Sequence, residues 1–233
     1  MKLTDATFAI LDVETTGVDP QKDRVVEVGV VTAPPVGPFS CFSNLVDPGI
    51  PIPPSASAIH HLTDENVAGK PTLEELMPEI EAAIGGSILA AHEAKFDLSF
   101  LPTLADRPWI CTKRLARHIW PDAPAYNNQV LRYWLKLKID PGNSHRAISD
   151  AIVTAHILNK EISAYLAMGK PNDVEALIEF LRGPVEVKTM PFGKHFGLPI
   201  SEIPIDYLKW ALLKIEDLDS DLRWTIEQRV LKN

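Results

Sequence analysis

Cysteine and long apolar runs are both scarce in this chain. Cys41 and Cys111 stand alone, with no CxxC pair and no disulfide framework, which predicts a reducing, cytoplasmic environment. No apolar run approaches the ~20 residues that a membrane-spanning helix needs. The first five residues lead into a strand-like run without a signal-peptide pattern. We therefore expect neither a disulfide-stapled secreted protein nor a membrane protein.

An excess of positive charge is also lacking. The chain carries 23 Lys and Arg against 31 Asp and Glu, which gives a formal net charge of −8 and a sequence pI of about 5.4. This balance argues against a broad, non-specific nucleic-acid-binding surface, because such surfaces need clustered basic residues. Bound cations would offset part of the negative charge. The acidity thus favours a short or end-specific grip on any polyanion.

The composition is that of an ordinary globular protein, with 233 residues, 45% hydrophobic and 23% charged. Apolar, β-branched runs predict five strands, at residues 8–13, 24–31, 39–46, 87–91 and 109–111. Helical patterns follow them, at residues 72–85, 94–104, 113–117, 127–136 and 145–168. Gly85 is the expected end of the first helix, and Thr112 and Asn143-Ser144 are expected to cap the third and the last. Strands first and helices later predict an α/β fold, a mixed five-stranded sheet flanked by helices over residues 1–170. Residues 171–233 are expected to form a small C-terminal α+β domain.

The first predicted strand ends in Asp12-Val13-Glu14, followed by Thr15-Thr16-Gly17. Because strand side chains alternate, both carboxylates point to one face, while Val13 points into the apolar layer. Carboxylate oxygens are the ligands that Mg²⁺ prefers. Two acids spaced this way also arise by chance, so a solvated strand end is the ordinary alternative. The apolar run before them favours the metal site.

Two further stretches add acids and a histidine. Asp97 lies early in a predicted helix, where it would also suit the helix dipole. His145 and Asp150 are separated by a little over one helical turn, so both can lean toward one site. An ordinary surface histidine is the alternative for His145. The preceding Pro141-Gly142 turn makes the entry to the helix flexible, which suits a histidine that takes a proton from water.

Together these residues suit hydrolysis of a phosphodiester by two metal ions, one activating water and one stabilising the leaving oxygen. The motifs resemble those of the DEDD 3′–5′ exonucleases, histidine subgroup, which have a ribonuclease H-like fold. The resemblance over residues 7–168 implies that Asp12, Glu14, Asp97 and Asp150 are metal ligands and His145 the general base. The resemblance also implies two Mg²⁺ ions as cofactors, for which Mn²⁺ can substitute. The implied binding partner is the 3′ end of DNA, single- or double-stranded.

One position departs from the family pattern. The second motif usually begins His-Asn, and here it reads His92-Glu93. The glutamate adds negative charge where a phosphate would bind, but it removes no ligand. We therefore expect it to weaken binding or alter metal preference rather than abolish the chemistry.

The substrate-binding candidates lie outside the acids. Thr15, Thr16 and Gly17 offer hydroxyl and N–H groups to a terminal nucleotide, and Ile59 and His60 lie where the family lines its nucleotide pocket. A plain core role is the alternative for Ile59. Lys113 and Arg117 belong to a basic helix stripe that either contacts phosphates or is a solvated face. The aromatic and basic stretch 191–199 either grips a single strand or forms a structural cap.

Three functions follow from these patterns. The leading hypothesis is a metal-dependent exonuclease that hydrolyses DNA from the 3′ end to 5′-mononucleotides. A second keeps the chemistry and takes RNA ends, because the motifs read phosphates and not the 2′ position. The third is a non-catalytic nucleic-acid-binding module of the same fold, which the complete set of acids and His145 disfavours.

Overall fold

The computed structural model describes residues 1–231. The chain divides into two compact units, the first from Met1 to Phe180 and the second from Leu181 onward. The sequence predicted a boundary near residue 170, about one helix before this division. The functional division of the chain stays a prediction. Across the described residues, no helix is both long and apolar enough to cross a membrane.

A mixed five-stranded sheet forms the centre of the first unit, as predicted. Its strands are β1 Phe8–Thr15, β2 Val25–Ala33, β3 Ser40–Leu45, β4 Ile88–Ala91 and β5 Trp109–Cys111. Their order is β3-β2-β1-β4-β5, with β1 and β3 antiparallel to β2, and β4 parallel to both β1 and β5. The central position of β1 follows from its nearly continuous apolar run, which is typical of a strand covered on both faces.

Seven helices and the start of an eighth accompany the sheet within the described part of this unit. They are α1 Pro54–His60, α2 Asp64–Val67, α3 Leu73–Ile84, α4 Ala94–Phe100, α5 Thr112–Ile119, α6 Asn128–Trp134, α7 Ala147–Ala167 and α8 Val174–Arg182. Helix α3 shows how local sequence sets the bounds. Thr72 and Glu75 form a capping box at its start, and Gly85, with φ +49°, ends it as predicted.

Two local expectations are wrong. The helix expected over 94–104 stops at Phe100, and a 3₁₀ turn, Pro102–Leu104, follows, because Pro102 has no N–H to continue the helical ladder. Thr112 was expected to cap α5 but is its first residue, and its hydroxyl instead contacts the ring of His92.

The second unit is helical in the part that the structure describes. Helices α9 Ile205–Lys214 and α10 Ser220–Leu231 join 3₁₀ turns at Gly193–His195 and Ile200–Glu202. The β structure described there is a single bridge between Thr189 and Pro199. Eight buried apolar residues form its separate core: Met190, Ile200, Ile203, Leu208, Ala211, Leu218, Leu222 and Ile226.

Candidate active site

The central strand supplies the first two acids. Asp12 and Glu14 flank Val13, whose side chain is 5% exposed and lies in the apolar core. In the pairing with β2, Asp12 lies opposite Gly29 and Glu14 opposite Glu27, and the register shifts directly after Glu14. The two carboxylates therefore stand where the regular part of β1 ends.

Helix α7 brings Asp150 to the same place. One carboxylate oxygen each of Asp12, Glu14 and Asp150 lies within 4.8 Å of the other two. Such a group of half-buried or buried oxygen ligands suits a hard divalent cation, whose remaining positions water and phosphate oxygens can fill. The chemistry of the donors thus fits the metal that the motifs predict.

Asp97 stands beside this trio. Its side chain is 4% exposed, and Oδ1 accepts a hydrogen bond of 3.2 Å from the main-chain N–H of Val13. That bond ties α4 to β1 between the two strand acids. All four carboxylates and His145 line one cavity of about 450 Å³. The structure therefore brings the five predicted residues together, although their roles stay a prediction.

Burial and mutual repulsion raise the proton affinity of these acids. Burial raises the pKa of Asp12 well above its ordinary value, and the charges of Asp97 and Glu14 add to the effect. Burial, helped by Asp150, raises the pKa of Glu14 to about 8. Burial also raises the pKa of Asp97 to about 7, against the hydrogen bond from Val13. A bound cation would remove this penalty, because it stabilises the ionised form of every ligand.

His145 is exposed and lies two residues before α7, not at its first turn as expected. Its φ is +58°, a left-handed conformation that is uncommon outside glycine, and its main-chain N–H donates to Asp150 Oδ2 at 2.9 Å. The imidazole is thus held next to the carboxylate cluster by the backbone while the ring itself reaches solvent.

A buried clamp fixes the start of α7, and the motifs did not reveal it. Glu27 is 1% exposed and accepts a bifurcated hydrogen bond from Arg146 Nε and a second hydrogen bond of 2.6 Å from Nη2. It also accepts from the N–H of Ala147 at 3.0 Å, and so caps the helix. The capping expected from Asn143-Ser144 is therefore provided by a strand residue.

Gly29 lets α7 approach β2 this closely. A Cβ on Gly29 would lie 2.5 Å from the carbonyl carbon of Ala147. The helix start is thus pressed onto the sheet beside Glu27. Glu27 was the available signal in the sequence, because it is an acid within the apolar run of β2, where an unpaired charge would be costly.

A neutral histidine and two amide residues complete the wall. Burial lowers the pKa of His92 to about 4, so its ring is uncharged. Nε2 then donates to the carbonyl of Tyr126 at 2.6 Å, and Nδ1 accepts from Thr112 Oγ1 at 2.8 Å. Gln129 donates to Asp150 Oδ1 at 3.3 Å, and the side chain of Asn127 caps α6. His92 therefore joins the end of β4 to the start of α5 and to the segment before α6.

The hydroxyls of the predicted nucleotide loop are used within the loop itself. Thr15 Oγ1 donates to the carbonyl of Gly17 at 2.6 Å, and Thr16 Oγ1 donates to Asp23 Oδ1 at 3.1 Å. Asp23 also accepts from the N–H of Asp19 at 2.9 Å. A Cβ at Gly17 would lie 2.4 Å from the Asp23 carboxylate. Internal hydrogen bonds thus hold this loop together, and its contact with a nucleotide stays a prediction.

The other substrate-binding candidates are spread over α1 and α5. Ile59 is 55% exposed, so the core alternative is wrong, whereas His60 is 1% exposed and accepts from the N–H of Leu62 through Nδ1. Lys113 forms an ion pair with Glu93, and Arg117 is half-buried. None of these candidates, and none of the loop residues Thr15, Thr16 and Gly17, belongs to the described lining of the acidic cavity. Glu93 does belong to it.

A carboxylate cluster beside the central strand of a mixed sheet is suited to metal-assisted hydrolysis. The exonuclease family model, RNase_T, matches residues 9–158. Exodeoxyribonuclease 10 of Escherichia coli K12 is 33% identical over 226 residues, covering 94% of this chain and 96% of that protein. The DNA polymerase III subunit epsilon of Aquifex aeolicus is 30% identical and covers 68% of this chain and 81% of its own length.

A solved structure also matches this chain. The structure of exonuclease X in complex with 5′ overhanging duplex DNA has a TM-score of 0.61 and 35% identity, and the match covers 75% of this chain and 99% of that one. The chain belongs to the exonuclease family. The ribonuclease H-like fold is confirmed. So is the similarity to bacterial exodeoxyribonuclease X that segments such as Trp109-Ile110-Cys111-Thr112 and Phe192-Gly193-Lys194 indicate.

Proposed function

We propose that this protein is a metal-dependent 3′–5′ exonuclease that hydrolyses DNA, single- or double-stranded, from the 3′ end to 5′-mononucleotides. The observation that carries the proposal is the meeting of Asp12, Glu14 and Asp150 within 4.8 Å, in one cavity with Asp97 and exposed His145. Relatives whose names specify exodeoxyribonuclease activity, and one that was solved with duplex DNA, support DNA as the substrate. The cytoplasm remains the expected compartment.

The four carboxylates are the proposed ligands of two Mg²⁺ ions, for which Mn²⁺ can substitute. Bound there, the ions would lower the pKa of water and stabilise charge on the leaving 3′ oxygen. An imidazole nitrogen of His145 takes the proton from the attacking water, and its exposure lets the ring pass that proton to solvent. The Glu27–Arg146 clamp and the Asp150 contact hold the backbone of His145 in place.

The test is degradation of end-labelled DNA in Mg²⁺, single- and double-stranded, beside RNA of the same sequence. We expect stepwise loss from the 3′ end of DNA, with 5′-mononucleotides as products. Asp12→Ala should abolish the reaction, because it removes a ligand. His145→Ala should lower kcat by about 10²- to 10⁴-fold, the usual contribution of a general base, while DNA affinity persists.

Glu79→Ala is the matched control, since Glu79 is an exposed carboxylate on α3. It should leave the rate unchanged. Full activity in Asp12→Ala, or no shortening of any 3′ end by the unaltered protein, would sink the proposal. Faster degradation of the RNA would move the substrate to RNA and leave the chemistry in place.

A further inference from the structure

Aromatic rings gather around Tyr207 in the second unit. The centroid of His195 lies 4.5 Å from that of Tyr207, and Trp210 lies 5.3 Å away with its plane tilted by 31°. Nζ of Lys194 lies 5.1 Å from the centre of the Tyr207 ring, a cation–π distance. The stretch 191–199 thus brings Lys194 and His195 onto the Tyr207 ring of α9.

The loop that carries Lys194 and His195 is held tightly. The N–H of Met190 donates to the carbonyl of Leu198 at 2.9 Å, and the N–H of Gly197 donates to Met190 at 2.8 Å. Gly193 has φ +71°, and a Cβ there would lie 2.9 Å from Tyr207 Oη. Because the loop is closed and pressed against Tyr207, a ligand would bind it without a large ordering cost.

Large apolar side chains beside these rings are left in water. Phe196 is 73% exposed and Trp210 is 48% exposed, whereas Leu208 and Ala211 of the same helix are fully buried in the core of the unit. The rings of Phe196 and Trp210 are therefore not part of the core of the unit. Exposed aromatic residues grouped with polar ones are typical of binding surfaces.

The charge of this segment runs against that of the whole chain. Residues 187–214 contain four lysines and two acidic residues, so their formal charge is +2 while the chain carries −8. Lys209 and Lys214 are exposed on α9, and Lys209 directly precedes the exposed Trp210. Positive charge interleaved with rings is the chemistry that holds single-stranded nucleic acid, through phosphate contacts and base stacking.

We infer that Lys194, His195, Phe196, Tyr207 and Trp210, named here the aromatic surface, bind single-stranded DNA in addition to the residues that line the acidic cavity. The inference rests on the proposed function and adds a DNA-binding surface on the second unit. Bases stack on Trp210 and Phe196, and Lys194 contacts the phosphates. A protein partner or a second copy of the chain would use the same exposed rings without needing the lysines.

The experiment compares two substrates with the full chain in Mg²⁺, a single strand of about 16 nucleotides, the upper range of common site sizes, and a dinucleotide. Trp210→Leu should raise KM for the longer strand by roughly 10-fold, the size expected from one lost stacking contact, with kcat unchanged. Trp210→Phe keeps a ring and should restore KM to within about twofold. Lys194→Gln should raise KM most at low salt.

Leu213→Ala is the matched control, since Leu213 is 79% exposed on the same helix and has no ring; its KM should not change. The dinucleotide reports on the cavity alone, so a failure of the proposed function appears as no cleavage of it by the unaltered protein. Unchanged KM for the longer strand in Trp210→Leu and Lys194→Gln overturns the inference. The inference is also overturned if Trp210→Leu and Trp210→Phe raise KM for the longer strand equally. A change in the sedimentation of the protein in either variant would overturn it too, because it would assign the surface to a second copy of the chain.

Discussion

Glu93 lies on the wall of the acidic cavity. Its carboxylate pairs with Lys113, and the two side chains are 53% and 37% exposed. An exposed pair of this kind contributes little to folding stability. Its proposed consequence is electrostatic, because Lys113 would neutralise a charge that repels the phosphate of the proposed substrate.

Lys113→Ala should therefore raise KM for DNA by about fivefold at low salt, which corresponds to roughly 1 kcal/mol between unit charges near water. The double variant Glu93→Asn with Lys113→Ala should return KM to its original value, since the uncompensated charge is gone. Steady-state kinetics at low and high salt measure both effects, and salt should shrink them. If Lys113 instead contacts the strand directly, the double variant stays impaired, and this explanation is wrong.

The position of α7 depends on one strand residue. Glu27 of β2 holds Arg146 and caps the helix, and Gly29 admits the helix start beside it. His145 and Asp150 belong to that same start. The placement of the proposed base therefore depends on a contact made from β2, outside the residues that would touch a metal or substrate.

Glu27→Gln should lower kcat by about 10- to 100-fold while changing KM for DNA little, because small misplacement of a catalytic group costs up to about 10²-fold. It should also lower stability by about 1–3 kcal/mol, the typical worth of hydrogen bonds to a charged group. Kinetics and thermal unfolding measure the two effects separately. Glu27→Asp should recover less than full activity, since its carboxylate is one methylene shorter.

The control is Ile84→Val, a core change in α3 with a stability cost of about 1 kcal/mol. It should leave kcat unchanged. Equal losses of kcat in the two variants at equal stability would show that Glu27 acts through folding alone and not through the position of His145.

Local sequence patterns account for some of these elements and not for others. Strand alternation predicted the shared face of Asp12 and Glu14, and apolar runs predicted the sheet. The clamp of Glu27 on Arg146 joins residues 119 positions apart, so no local pattern contains it. The early end of α4 did have a signal, Pro102, which the helical pattern around it obscured. Local patterns thus predicted the acids but not what holds them.

Metal binding at the acidic cavity would be coupled to the folding of the whole molecule, because the ligands are carboxylates with raised pKa values. Folded Glu14 has a pKa raised from 4.5 to about 8, and folded Asp97 one raised from 3.8 to about 7. At pH values between the ordinary and the raised pKa of each group, the metal-free folded state holds protons that the unfolded chain has released. Stability then falls as pH rises, because the folded state binds more protons than the unfolded one.

We therefore expect the Tm of the metal-free protein to decrease from about pH 5 to about pH 8, with the loss of a few kcal/mol of stability spread over that range. Mg²⁺ should raise Tm strongly near pH 8 and little near pH 5, since its ligands must be ionised to bind it. Calorimetry with chelator and with Mg²⁺ at each pH measures both trends. The double variant Asp12→Asn with Glu14→Gln should lose most of the pH slope and the response to Mg²⁺ together. A Tm of the metal-free protein that rises with pH over this window would contradict the raised pKa values, and a variant that still responds to Mg²⁺ would place the cation elsewhere.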